Sequence, residues 1–127
     1  MANLKFTLEN GLKKGEEIHK DIELRELTAG DMLDAEAEVE ELVITEDGKV
    51  TYKTSPTRLA HEILRRSIAK LGNLPMPLSV SEYRLLSRTD LIILQTQASK
   101  IDNAMVEKIS ARGRHNQAAS ADLPSVS

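Results

Sequence analysis

The residues that could carry chemistry are the three histidines, a run of carboxylates, a glycine pair and a basic segment near the C-terminus. His19, His61 and His115 fall in a strand-like segment, a helical segment and a polar tail, so no spacing brings them to one metal. Asp34, Glu36, Glu38, Glu40 and Glu41 have the charge for a cation. At helical spacing, however, they point around the cylinder, and the glycine-centred loop of an EF-hand is missing. Gly11 and Gly15 bracket a loop that is not followed by the Lys-Ser/Thr pair of a phosphate loop. The chain has no Cys, which excludes thiolate zinc, iron–sulfur clusters, disulfides and a cysteine nucleophile. Lys108 to His115 could touch phosphate, but so few charges give weak, salt-sensitive binding. Phe6, Tyr52 and Tyr83 are the whole aromatic complement, too few for a base-stacking platform. The expectation is a non-enzymatic protein with no catalytic residues, cofactor, metal or nucleic-acid partner.

The elements around these residues can be read from periodicity. Leu4, Phe6 and Leu8 alternate with polar residues, and Ile18, Ile22 and Leu24 alternate with His19, Asp21 and Glu23, predicting an opening β-hairpin across an Asn10–Gly15 loop. Thr28 and Asp31 have capping-box spacing, so a helix should start there with Met32, Ala35, Val39 and Leu42 on its apolar stripe. Val43 to Tyr52 predicts a second hairpin on an Asp47-Gly48 turn, with Glu46 opposite Lys49 and Val43, Thr45, Val50 and Tyr52 sharing a face. Ser55-Pro56 opens a helix whose stripe is Leu59, Ile63, Leu64, Ile68 and Leu71, stopped by Gly72-Asn73. Leu74-Pro75-Met76-Pro77 must be an extended connector. Ser79 with Glu82 caps a short helix, and Ser87 with Asp90 offers a capping box for the longest one.

On that last helix Leu91, Leu94, Ala98, Ile101 and Met105 recur at spacings of three and four. Packing against the Leu59–Leu71 helix would use this face; the functional reading is that part of it seats a partner helix or a second copy of the chain. With 127 residues the chain is one domain, placed at 1–112 and followed by a flexible polar tail at 113–127. The expected fold class is α+β: an N-terminal hairpin and a second hairpin in a small antiparallel sheet, packed by about three helices. With 2% aromatics, the core has to be aliphatic. Residues 1–50 hold 6 Lys and Arg against 14 Asp and Glu, whereas residues 51–127 hold 11 against 6, so the two ends differ in sign and could steer head-to-tail association. The opening MANLKFTLEN lacks the basic region and apolar run of a signal peptide, and no stretch is long enough to span a membrane. Synthesis in the cytoplasm and no membrane partner are therefore expected.

Two phrases add a resemblance. IELRELTAGDMLDAE over residues 22–36 and LLSRTDLIILQ over 85–95, in this order around the Leu59–Leu71 helix and the Pro connector, resemble the Mu-like phage tail assembly chaperone family across about residues 4–105. The resemblance implies a non-enzymatic factor of the host bacterial cytoplasm that coats the helical tape measure protein and keeps it soluble. It further implies recruitment of tail-tube subunits and coexistence with a frameshifted, longer form of the same chain. Two other classes fit the composition: a permanent virion structural protein of the tail or neck, and a small DNA-binding regulator.

Overall fold

The computed structural model describes residues 3–119, with side chains to residue 113. In chain order the elements are β1 (Leu4–Lys14), β2 (Glu17–Leu24), α1 (Ala29–Glu38), β3 (Glu40–Ile44) and β4 (Val50–Thr54). They are followed by α2 (Pro56–Arg66), β5 (Ile68–Leu71), α3 (Val80–Tyr83) and α4 (Arg88–Ala119). The fold is α+β, with an antiparallel three-stranded sheet ordered β1-β2-β5 and a separate two-stranded sheet, β3-β4.

The opening hairpin forms, but its loop is shorter than the Asn10–Gly15 segment. β1 runs through to Lys14 opposite Glu17, and four of its residues, Leu8 to Gly11, face the single Lys20 of β2. This wide bulge breaks the pleat, so a period-two count carried across it inverts. His19 is therefore the inward residue, 7% exposed, and Ile18 the outward one, 56% exposed, the reverse of the alternation in the sequence. Gly11 supplies the φ of +75° that the bulge needs, and a Cβ there would lie 2.6 Å from the His19 carbonyl oxygen.

The predicted α2 helix stops early. Ser67 turns its hydroxyl onto the Leu64 carbonyl at 2.6 Å, and Ile68–Leu71 leaves the helix to pair with β2, Ile68 opposite Leu24 and Leu71 opposite Ile22. Apolar residues three apart suit a helix; the open edge of β2 takes them as a strand instead, where a register shift in the ladder goes with both Ile68 and Leu71 being buried. Opposite charges at Glu23 and Lys70 stand across the same ladder. Helix α1 likewise ends at Glu38, and Leu42 belongs to β3.

The second hairpin closes one residue out of the expected register. The Thr45 N–H donates to the Lys49 carbonyl, leaving Glu46, Asp47 and Gly48 as a three-residue loop with Gly48 at φ +81°. Ile44 then pairs with Val50 and Leu42 with Tyr52.

The core is aliphatic, as the composition requires: Leu8, Leu12, Ile22, Leu24, Leu64, Ile68, Leu71, Leu74, Leu78 and Leu94. It lies under the three-stranded sheet, closed by α2, the Pro-rich connector and the first half of α4. Helix α4 is longer than the sequence suggested and continues past Gly113 to Ala119; the rest of the expected tail, 120–127, lies outside the described residues.

Candidate functional site

The apolar face of α4 divides along its length. Leu94 is fully buried in the core, and Leu91 packs against that core. Ala98 and Ile101 both touch the core and line a groove of about 900 Å³, and Met105 lines the groove one turn further on. Of the five residues read from the sequence, Ala98, Ile101 and Met105 are thus brought to an open surface. Leu91 and Leu94 instead hold the helix on the sheet.

Sequence reading missed the opposite wall of this groove. Leu27 comes from the segment before α1, Met32 from α1, and Pro56, Ala60 and Ile63 from α2, with the buried core residue Leu64 also reaching the lining. Nothing in their spacing separates them from core residues; the opening between α2 and α4 shows only in the tertiary arrangement. Polar groups stand among the lining residues as Glu26, Gln95, Ser99 and Asp102. From Gln95 to Met105 the α4 wall is about 15 Å long, the rise of nearly three helical turns.

Both walls are fixed by polar contacts. At the α1 end Arg25 grips Asp31 through two hydrogen bonds of 2.8 and 3.2 Å, while the Asp31 carboxylate also accepts from the Thr28 N–H. The Arg25 guanidinium, helped by Thr28, holds the Asp31 carboxyl well below the ordinary carboxylate range. On α2, burial works to raise the Glu62 carboxyl, but Arg65 and Arg66 together keep it below its usual value. Arg65 continues to the Leu78 carbonyl at 2.7 Å, so one buried ionic cluster ties the helix to the connector. The Tyr83 hydroxyl shares a 2.8 Å hydrogen bond with Nδ1 of His61, which lines the groove. Burial pushes the Tyr83 phenol up to about 12, with Arg65 opposing and Glu62 adding to the shift.

The base of α4 is held by its own first turn. Asp90 is fully buried, and its carboxylate accepts the N–H groups of Glu9 (2.8 Å), Asn10 (3.2 Å) and Gly11 (2.8 Å) from the β1 bulge. The Ser87 hydroxyl accepts the Asp90 N–H, as expected of a cap, and also accepts from the Asn10 side chain. The second half of a capping box is absent because Asp90 reaches across to the sheet.

The groove surface is mainly apolar and can cover apolar surface of another chain. Among the described residues no three His, Asp or Glu side chains gather as a metal site, and no helix is long and apolar enough to cross a membrane. Asp34, Glu36 and Glu38 are exposed on α1, and Glu40 and Glu41 on β3. His19 is buried with its ring against Gly72, His61 is on the groove, and the side chain of His115 lies outside the described residues.

A family model described as "Tail assembly protein gp41" matches residues 8–114. The chain belongs to this gp41 family. Among gp41 relatives, the "Mu-like prophage FluMu protein gp41" of Haemophilus influenzae is 39% identical over 127 residues, covering 98% of this chain and 100% of that protein. The "Probable tail assembly protein gp41" of Escherichia phage Mu is 41% identical over 115 residues, 90% of this chain and 79% of that protein. A second phage Mu protein, "Probable tail assembly protein FS-gp41", is 40% identical over 110 residues, 87% of this chain but 58% of its own length. No solved structure matches the chain. The gp41 match runs from within β1 to within α4 and takes in the groove residues.

Proposed function

We propose that this gp41 family member works in phage tail assembly as a non-enzymatic chaperone, receiving an apolar helix of the tape measure protein in the α2–α4 groove. The observation that carries this reading is the groove itself: Met32, Ala60, Ile63, Ala98, Ile101 and Met105 leave uncovered apolar surface between two helices fixed at their bases. A helix presenting apolar residues at three- and four-residue spacing fits such a surface, and burying one Leu or Ile contributes about 1.5–3 kcal/mol. Ala60 and Ala98 are small residues on opposite walls, and they let a helix backbone approach.

Action before the tail is complete, in the host cytoplasm, follows from this role. Tail-tube subunits are the further partner it implies. A longer form of the same chain is consistent with the phage Mu relative of which the matched region is 58%.

The test is co-expression with the tape measure protein. The wild-type chain is expected to keep that protein in the soluble fraction. Ala60→Glu and Ala98→Glu, with unchanged far-UV circular dichroism, are expected to lower the soluble amount several-fold, whereas the exposed Ile18→Glu on β2 leaves it as it was. Groove variants that solubilise as well as wild type would overturn the reading. So would stoichiometric amounts of this chain in mature particles, which would make it a permanent virion component.

A further inference from the structure

The β3–β4 hairpin turns one face to solvent. Leu42, Ile44, Val50 and Tyr52, cross-paired in register, are between 60% and 76% exposed, an apolar strip on a sheet of only two strands. A two-stranded hairpin is marginal by itself, and a face of this kind is normally covered. Its surroundings are acidic: Glu40 shares the face, and Glu46 and Asp47 form the tip. Of the nearby basic residues, Lys49 lies 4.0 Å from Asp47, Arg58 pairs with Glu41, and Lys53 stands opposite Glu41 on the other face of the hairpin.

Helix α4 outruns the body. Ile101 is the last of its residues packed on the core, and from Asp102 to Gly113 only Met105 is half-buried. Val106 and Ile109 are 60% and 65% exposed. Helical spacing puts Arg112 next to Ile109 with Lys108 beside it, and turns Glu107 to the opposite side. This is a second uncovered apolar patch, flanked by basic side chains where the hairpin strip is flanked by acidic ones.

We propose that these two surfaces bind each other between copies: the exposed end of α4 in one chain lies across the β3–β4 strip of the next. The occupant is thus a second copy of this chain, selected by charge complementarity and present at matching stoichiometry by construction. Because the two surfaces differ, the contact is heterologous and adds copies head to tail, giving a ring or an open filament in place of a two-fold dimer. It uses neither wall of the α2–α4 groove apart from its last residue, so it stands whatever helix that groove takes.

The test is sedimentation velocity on the full chain across concentration and salt. Wild type is expected to form concentration-dependent species larger than a dimer, weakened at least about tenfold when high salt screens the charges. Ile44→Asp and Ile109→Asp alter side chains that are already exposed, so each is expected to stay folded by circular dichroism and remain a monomer. Mixed together, they are expected to form a one-to-one complex that grows no further, since each supplies the surface the other lacks. A wild-type chain that stays monomeric at low salt would overturn the proposal. Assembly lost in Ile44→Asp but retained in Ile109→Asp would overturn it too, because the strip would then pair with itself.

Discussion

The buried Asp90 side chain ties together two elements some eighty residues apart in sequence. Its carboxylate takes three backbone N–H groups from the β1 bulge while its own residue sits in the first turn of α4, where the helix dipole favours negative charge. One side chain thereby fixes the base of α4 against the sheet. Asp90→Asn presents an amide that must turn N–H groups toward N–H donors, and leaves some of the three unpaired. The expected loss is about 2–4 kcal/mol of unfolding free energy, read by urea denaturation. An unchanged midpoint and slope would show that the bulge holds without it. In the sequence Asp90 is legible only as a capping residue, because its real partners stand some eighty positions earlier. His19 is hidden for a related reason: no sequence signal marks the bulge that turns it inward.

Helix starts were the most legible elements, since their chemistry is local. Thr28 with Asp31 and Ser79 with Glu82 both form reciprocal capping boxes, and Ser55-Pro56 opens α2 as expected. Element ends were less legible where tertiary pairing decides, as at Ile68–Leu71, whose helical spacing gives way to the free edge of β2. The Asp47-Gly48 pair located the second hairpin, yet a three-residue loop moved the register by one and exchanged its faces. That exchange exposes Leu42 and Ile44 where the sequence placed Val43 and Thr45. The caps also set a pH dependence. Asp31, held low by Arg25 and Thr28, and Glu82, held low by Ser79 against the opposing effect of burial, titrate below their ordinary values of 3.8 and 4.5. Folded values below unfolded ones mean that the stabilisation is complete above about pH 5 and is lost as the pH falls through the carboxylate range. Denaturation midpoints should therefore be level down to about pH 5 and decline toward pH 3. Thr28→Ala should cost about 1 kcal/mol at neutral pH, and Arg25→Ala, which removes the main cause of the lowered Asp31, should make that decline shallower. A decline equally steep in Arg25→Ala would remove the Asp31 pair as its source.

At the scale of the whole molecule, an aliphatic core shared by α2 and α4 leaves an open groove beside it, lined by both helices. The α+β class, the aliphatic core and the long last helix were all legible from composition and period. The groove was half legible: Ala98, Ile101 and Met105 belong to an evident stripe, but the same stripe contains Leu94, which is sealed in the core. Periodicity reports which side of a helix is apolar, and only the packing of α2 reports where along the helix that side becomes uncovered. Membership of the gp41 family places the chain in tail assembly, and the proposed function assigns the groove as the surface that role uses. The direct measurement is photo-crosslinking from residues 60 and 98 in the chain co-expressed with the tape measure protein, with Ile18 as the control position. The account predicts adducts to the tape measure protein from both groove positions, mapping to one apolar helical segment, and none from position 18. Adducts from position 18 alone, or none from either groove position while the two proteins still co-purify, would contradict it.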